Sequence, residues 1–266
     1  MSSRIEEFYD RFASHFIEDM VRGNERVTEQ IRFFARAIPR QCTSVLVPGC
    51  GSGQAAYAIA ARIAPRATVV ALDLSGEALR LARAINSHAR ITYLQADFVE
   101  SPPAGRWEAI VLPDVYEHIP RAQRPVLHAV LHRLLADNGR ILLTIPTPGK
   151  QESLRIQGSG LQIVDEDVTA EDLFALSRDV EGDLTYFAKM SIWQTNDYAH
   201  AMIERASHTV QSLTPADRIP IKGWPAEPIW KRARASVARR LHLDVFAMAI
   251  RRARFARKLA RFDAAG

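Results

Sequence analysis

Residues 44–53 read Ser44-Val-Leu-Val-Pro-Gly-Cys-Gly-Ser-Gly53, an apolar run that ends in a glycine-rich segment. The apolar run predicts a buried strand, and the glycines predict a turn at which the backbone comes close to a ligand. The small residues from Gln54 to Ala64 predict a helix directly behind the turn. A strand, a glycine-rich turn and a helix N-terminus together form a ligand cradle in open α/β sheets. Glycines at this spacing also occur in plain tight turns, so the cradle needs further support.

The next three predicted strands also end in polar residues. Thr68–Asp73 ends in a carboxylate about twenty residues after the glycines, where α/β folds often hold a ribose hydroxyl pair. Ile91–Gln95 is followed by Asp97-Phe98, and Ala109–Leu112 is followed by the segment Pro113-Asp-Val-Tyr-Glu-His118. Because the carboxyl ends of parallel strands meet at one edge of a sheet, these residues are expected to form one site.

Taken in order, these motifs resemble those of the class I S-adenosylmethionine-dependent methyltransferases. The glycine turn, Asp73, Asp97-Phe98 and Tyr116-Glu-His-Ile119 all stand at that family's motif positions, and the resemblance covers about residues 44–204. It implies an α/β fold with a Rossmann-like, seven-stranded, mostly parallel sheet. The last strand of that sheet is expected to be antiparallel, and helices are expected on both faces.

The resemblance also implies the cofactor, S-adenosylmethionine, with S-adenosylhomocysteine as its product. The glycines of the turn are expected to pass its methionine part, Asp73 to hold the ribose hydroxyls, and Asp97 with Phe98 to border the adenine. Arg26 or Arg22 is expected to meet the cofactor carboxylate. The full predicted cofactor-binding set is Gly49, Cys50, Gly51, Gly53, Asp73, Leu74, Asp97, Phe98, Pro113 and Arg26. One residue departs from the family pattern, because Val47 stands where members often carry an acid before the glycine turn.

His118 is the predicted general base. It follows the fourth strand, so its imidazole can face the cleft, and histidine removes protons near neutral pH without a large pKa shift. The alternative is a histidine that only hydrogen-bonds a loop. Tyr9 is predicted to position the acceptor, since related small-molecule methyltransferases fold this segment over the cofactor. We therefore expect an enzyme that methylates an oxygen or nitrogen of a small metabolite or a sugar-bearing intermediate.

The chain outside the core divides into two further predicted regions. Residues 1–40 contain two amphipathic helical patterns and are expected to form an N-terminal lid over the core, residues 41–205. Residues 206–266 are expected to form a basic helical appendage, in which the stretch from Ile229 to Phe262 carries eleven lysines or arginines and one acid, Asp244. Apolar residues at helical spacing run through this charge. Such a helix suits an anionic membrane surface or a glycolipid, and nucleic acid is the less favoured partner.

Composition limits the remaining function classes. A chain of 266 residues with 47% hydrophobic residues can bury a sizeable core, and no apolar run approaches the ~20 residues of a membrane span. A cytoplasmic protein is expected, with peripheral membrane contact through the basic appendage. The two cysteines provide neither a disulfide framework nor a metal site, and Cys50 is expected to be a small buried side chain. Two alternatives stay open: methylation of a macromolecule such as RNA, and a non-catalytic binding module on the same fold.

The second half of the core has its own predicted turns. A helix after His118 is expected to stop in a left-handed turn at Asp137-Asn-Gly139, and a loop is expected at Pro146-Thr-Pro-Gly149. A helix is predicted from Ala170 to Arg178. A hairpin-like pair of strands is predicted at Leu184–Trp193 and Tyr198–Ile203, and its connection offers four candidate substrate contacts, namely Trp193, Asn196, Asp197 and Tyr198.

Overall fold

A computed structural model describes residues 23–158 and 160–205. Seven strands form one sheet in the order β3-β2-β1-β4-β5-β7-β6. Strands β1 to β5 pair in parallel, and β7 runs antiparallel to both β5 and β6. The predicted mostly parallel sheet with its antiparallel last strand is confirmed. Tyr9, Arg22 and residues 206–266 lie outside the described part of the chain.

The elements alternate along the chain in the way the apolar runs predict. The strands are β1 (Ser44–Pro48), β2 (Thr68–Asp73), β3 (Ile91–Gln95), β4 (Trp107–Pro113), β5 (Leu135–Pro146), β6 (Gly182–Met190) and β7 (Tyr198–Arg205). The helices are α1 (Glu25–Ala37), α2 (Gln54–Ala58, continued by a π-helical turn at Ile59–Ile63), α3 (Gly76–Ile85), α4 (Arg124–Leu134), α5 (Pro148–Gln157) and α6 (Ala170–Asp179). Short 3₁₀ turns at Tyr116–His118 and Arg121–Gln123 join β4 to α4.

Two apolar clusters cover the two faces of the sheet. On one face α1, α2 and α3 pack on alternate residues of the central strands, and Phe33 and Phe34 of α1 are part of this cluster. On the other face α4 and α6 pack on the intervening residues, such as Leu46 and Ile110. Helices therefore lie on both faces, as predicted. Since both faces are covered, the carboxyl edge of the sheet is the place left for a ligand.

Local capping explains where several helices begin. Ser75 precedes α3 and its hydroxyl accepts from the N–H of Ala78 at 3.0 Å, which confirms the predicted cap. Thr169 begins α6 in a capping box with Asp172.

Among the residues that the structure describes, no helix is both long and apolar enough to cross a bilayer.

Two predicted turns are wrong. Helix α4 ends at Leu134 and the chain passes directly into β5 at Leu135, without a left-handed turn at Gly139. Gly139 is needed for another reason: a Cβ there would lie 2.7 Å from Cδ1 of Leu135 and 2.9 Å from the carbonyl oxygen of Trp107. The predicted loop at residues 146–149 is the start of α5, capped by the hydroxyl of Thr147. Strand β6 also ends at Met190, short of Trp193.

Candidate functional site

The glycine turn after β1 is closely packed against its neighbours. Gly49, Gly51 and Gly53 have φ values of 60°, 51° and 78°, a region that side chains disfavour. A Cβ on Gly49 would lie 2.4 Å from Cγ2 of Val115, and a Cβ on Gly53 would lie 2.3 Å from the hydroxyl of Tyr93. The turn therefore requires glycine both for its backbone conformation and for the close approach of β3 and of the segment after β4.

Two buried hydrogen bonds in series connect this turn to β3 and to the end of α3. The hydroxyl of Tyr93 donates to the carbonyl of Asn86 at 2.9 Å, and the side-chain amide of Asn86 donates to the carbonyl of Ser52 at 2.7 Å. Burial raises the pKa of Tyr93, so this hydroxyl keeps its proton. Neither Tyr93 nor Asn86 was predicted from the sequence, because their role depends on contacts between α3, β3 and the turn.

Asp73 is tied directly to the turn. Its two carboxylate oxygens accept from the N–H of Gly51 at 2.8 Å and from the N–H of Ser75 at 3.0 Å. The N–H of Cys50 in turn donates to the carbonyl of Leu72 at 3.0 Å. These bonds fix the direction of the carboxylate at the end of β2, next to the glycines, where the ribose-binding residue is predicted.

The other predicted cofactor residues follow the same edge. Asp97 organises its own turn, since Oδ1 accepts from the N–H groups of Val99 and Glu100 at 2.8 and 3.1 Å. Phe98 is buried among the apolar residues on the α4 side of the sheet. Leu74 and Pro113 are partly buried at the ends of β2 and β4. The structure thus brings these residues to one edge, and their contact with a cofactor stays a prediction.

Cys50 is a buried side chain within the turn. It is 7% exposed, and burial raises the pKa of its thiol well above the usual range. A reactive thiolate needs a lowered pKa and access to solvent, so Cys50 is suited to packing. The part of the chain that the structure describes contains no group of three His, Cys, Asp or Glu side chains placed to hold a metal ion.

Asp114, directly after β4, connects the edge to α1. It has φ of 54°, and its Oδ2 is paired with the guanidinium of Arg26 and accepts from Nε2 of Gln30 at 2.7 Å. Its backbone N–H donates to the carbonyl of Thr144 on β5 at 2.9 Å. These contacts fix the start of α1 at the carboxyl edge, so the predicted cofactor residue Arg26 lies at the site with Asp114 as its partner.

His118 lies at the end of the 3₁₀ turn after β4, with its side chain mostly buried. Its Nδ1 lies 2.8 Å from the carbonyl oxygen of Val164 and 3.2 Å from Oδ1 of Asp165, while Nε2 lies 3.9 Å from Oε1 of Glu117. Burial acts to lower the pKa of His118, but Glu117, Asp165 and the Val164 carbonyl together raise it above its ordinary value. The histidine therefore holds the loop after α5 and also faces a buried acid.

Glu117 is the most deeply buried carboxyl group at this edge, with its side chain 2% exposed. Its Oε2 has no hydrogen-bond partner among the described residues. Burial raises the pKa of Glu117, against the opposing effects of His118, one backbone hydrogen bond and Arg26. The sequence motif contained this residue, but no pattern in the sequence indicated that its carboxyl group would be buried with one oxygen lacking a donor.

The connection between β6 and β7 lies at the same end of the sheet, next to the end of β5. Asp197 accepts from three backbone N–H groups, those of Ile192, Trp193 and Gln194, at 2.8, 3.0 and 3.0 Å, so this candidate substrate contact serves to shape the turn. Trp193 is half exposed and packs edge-on against Tyr198. Burial raises the pKa of Tyr198 to about 12, and Arg26 and Glu117 are among the charges that act on it.

Comparison with known proteins agrees with this architecture. Residues 45–139 match the family model of a methyltransferase domain. No curated protein sequence matches the chain significantly.

Three solved structures illustrate the structural similarity. A chain of the complex between the Haloferax volcanii Trm112 methyltransferase activator and the putative methyltransferase is 15% identical, with a TM-score of 0.63 over 78% of this chain and 100% of that one. Magnesium protoporphyrin IX methyltransferase from Synechocystis PCC 6803, with bound SAH, is 16% identical, with a TM-score of 0.58 over 77% and 99%. N-methyltransferase NodS from Bradyrhizobium japonicum WM9, in complex with S-adenosyl-L-homocysteine, is 14% identical, with a TM-score of 0.55 over 73% and 99%.

At this level of identity the solved structures establish the fold, while the domain model identifies the family of the segment that forms the glycine turn and the first four strands. Residues 45–139 therefore match a methyltransferase domain, and the described chain has the class I fold of the S-adenosylmethionine-dependent methyltransferases.

Proposed function

We propose that the chain transfers a methyl group from S-adenosylmethionine to an oxygen or nitrogen of a small metabolite or a sugar-bearing intermediate. The proposal rests chiefly on Asp73, whose carboxylate is held against the glycine turn by the N–H groups of Gly51 and Ser75. A fixed carboxylate beside a glycine turn at the end of β2 suits a ribose hydroxyl pair. The SAH bound in magnesium protoporphyrin IX methyltransferase and in NodS supports the choice of cofactor.

The residues present fit this cofactor along the edge. The glycine turn lets the backbone approach a ligand, and Asp73 lies next to it. At the other end, Arg26 supplies a positive charge, and Glu117 supplies a buried carboxyl group whose Oε2 has no hydrogen-bond partner among the described residues. Opposite charges at one end of the site match the amino and carboxylate groups of the methionine part.

His118 is the proposed base. S-adenosylmethionine supplies a methyl group that is already activated by its positive sulfur, so the protein has to orient the acceptor, exclude water and remove a proton. The carbonyl of Val164 lies 2.8 Å from Nδ1 of His118, so this nitrogen carries a hydrogen and donates it. In the neutral imidazole Nε2 is then the atom that accepts a proton. The pKa of His118 is raised above its ordinary value, which favours the protonated form, so turnover is expected to increase as the pH rises through this raised pKa. Tyr9 remains the proposed positioning residue.

Calorimetric titration with S-adenosylmethionine and S-adenosylhomocysteine tests the cofactor. We expect both to bind, and we expect Asp73→Ala to weaken both by about 10-fold or more because hydrogen bonds to a charged group are lost. Asp183→Ala is the control, since Asp183 is exposed on β6, far from the glycine turn in the sheet order. Equal affinity in the Asp73 variant would refute the ribose role.

His118→Asn tests the base. The asparagine amide can still donate to the carbonyl of Val164, so the loop keeps its anchor while the proton acceptor is removed. With an acceptor found by screening, turnover should fall by about 10²- to 10⁴-fold while cofactor affinity stays nearly constant. Unchanged turnover would assign His118 to the loop alone.

One observation favours a second candidate, a binding module without activity. Val47 is fully buried in β1 and packs in the apolar cluster on the α1 side, so this strand presents no acid before the glycine turn. If neither cofactor form binds in the titration, this candidate replaces the enzyme. The basic residues 206–266 would then become the first region to test with anionic membranes.

A further inference from the structure

The starting observation is the buried carboxyl group of Glu117, one oxygen of which has no hydrogen-bond partner. Its side chain is 2% exposed, and Oε2 has no hydrogen-bond partner among residues 23–158 and 160–205. Buried carboxyl oxygens are nearly always paired, because an unpaired buried acceptor is costly. A group that persists in this state at the ligand edge of an α/β sheet is suited to receive a donor from a ligand.

Val115 packs the segment that contains Glu117 against the glycine turn. A Cβ on Gly49 would lie 2.4 Å from Cγ2 of Val115, so the segment after β4 packs directly on the start of the turn. Glu117 follows Val115 by two residues, within the 3₁₀ turn Tyr116–His118. The glycine turn is the place where the methionine part of the cofactor is expected to pass.

The cationic side chains near Glu117 are engaged with other partners and leave Oε2 without a donor. Arg26 acts on Glu117 electrostatically, but its guanidinium is paired with Asp114. His118 approaches Oε1 only to 3.9 Å, and its Nδ1 is engaged with Val164 and Asp165. An ammonium group has three donors on a compact charge, and it would satisfy Oε2 directly.

The other carboxyl groups at this end are less suitable. Asp114 already accepts from Arg26 and Gln30 on one oxygen, and the other lies 3.4 Å from the hydroxyl of Thr144. Val47 is apolar. Glu117 is therefore the acid at the start of the glycine turn that has an acceptor to offer.

We propose that Glu117 accepts a hydrogen bond from the α-ammonium group of the cofactor's methionine part, opposite Arg26, which faces the α-carboxylate. The inference rests on the proposed function and deepens it, since it assigns the ammonium site to the turn after β4. Glu117 is then a cofactor-binding residue, and the absence of an acid at position 47 does not disable the site.

The test compares two probes by calorimetry. S-adenosylhomocysteine contains the amino-acid part, whereas 5′-methylthioadenosine contains the same nucleoside and thioether without it. In Glu117→Gln we expect the affinity for S-adenosylhomocysteine to fall about 10- to 100-fold, because the negative charge that strengthens the hydrogen bond from the ammonium group is lost. The affinity for 5′-methylthioadenosine should stay within about 2-fold, which also shows that the variant is folded.

A matched control comes from the same strand. Glu108 lies at the opposite end of β4, where its carboxylate accepts from the N–H of Thr43 at 3.0 Å and from the hydroxyl of the same residue. Glu108→Gln changes the same functional group and should leave the affinity for both probes unchanged. Asp73→Ala should weaken both probes, because both contain the ribose.

Each result of the titrations either supports or overturns the proposed role of Glu117. Selective loss of S-adenosylhomocysteine binding in Glu117→Gln supports it. Unchanged affinity for S-adenosylhomocysteine overturns it, as does an equal loss for both probes, which would mean that Glu117 supports the cradle as a whole. If the parent protein binds neither probe, the proposed function itself fails and the inference fails with it.

Discussion

The contact between Gly53 and Tyr93 provides a quantitative test of how the glycine turn is built. In Gly53→Ala the new Cβ would lie 2.3 Å from the hydroxyl oxygen of Tyr93 and 3.1 Å from Cβ of Ala82, on a backbone with φ of 78°. The left-handed conformation costs about 1–2 kcal/mol and overpacking adds about 1–3 kcal/mol. We therefore expect the free energy of unfolding to fall by about 2–5 kcal/mol.

Tyr93→Phe removes the clashing oxygen. By itself it should cost about 1 kcal/mol, since it removes the hydrogen bond to the carbonyl of Asn86. In the double variant the backbone strain and this lost bond remain, but most of the overpacking is relieved. Because the ring atom Cζ would still lie 3.0 Å from the new Cβ, the relief is partial, and we expect a favourable coupling of about 1–2 kcal/mol.

Urea unfolding of the parent, both single variants and the double variant measures this coupling. Gly158→Ala is the matched control, because Gly158 has a similar φ of 65° and no atom within 4 Å of its would-be Cβ. It should show the backbone strain alone, and combining it with Tyr93→Phe should give additive costs. If the Gly53 and Tyr93 changes also add to within about 0.5 kcal/mol, the close approach does not limit the turn.

Two further predictions concern buried histidines. Burial lowers the pKa of His200 to about 4, below the 6.5 of the unfolded chain, so the folded state loses stability as the pH falls from 6.5 towards 4. His200→Phe, which keeps the stacking on Phe33, should therefore gain about 2 kcal/mol relative to the parent between pH 8 and pH 5, and an equal stability difference at both pH values in urea unfolding would contradict this. The hydrogen bond from His128 at 2.7 Å lowers the pKa of Asp179, so its stabilising effect is present above about pH 3.8 and is lost as the pH falls through the lower folded value. Asp179→Asn should be less stable than the parent at pH 7 and approach it at pH 3, and a constant difference in thermal unfolding would rule out this linkage.

The residues at the carboxyl edge could be predicted because strand ends are local features of the sequence. Each apolar run ends in a glycine or a carboxylate, and the parallel arrangement brings those ends together. Ser75 was predictable for the same reason, since a cap acts on the helix that follows it directly. The motif order then distinguished the family from other α/β folds.

The missed features depend on contacts between distant parts of the chain. Asp114 is visible as a strand end, but its partner Gln30 lies 84 residues away, on α1. The left-handed stop at Gly139 was a sound local interpretation, yet packing against Trp107 places the glycine inside a strand. The start of α5 is different, because Thr147 before Pro148 is a recognisable helix start, although a loop was predicted there.

If Glu117 binds the ammonium group as proposed, the acid of this site lies on the turn after β4 and not at the end of β1. β1 and β4 are parallel neighbours, with Val45 opposite Ala109 and Leu46 opposite Ile110. Neighbouring strands lie only about 4.8 Å apart, so an acid on the turn after either one can reach the same end of the glycine turn. An apolar residue at position 47 strengthens the core below the turn, while Glu117 brings a carboxyl group to the edge from the side. The apolar residue at position 47 is therefore weak evidence against cofactor binding, because Glu117 on the turn after β4 can supply the carboxyl group.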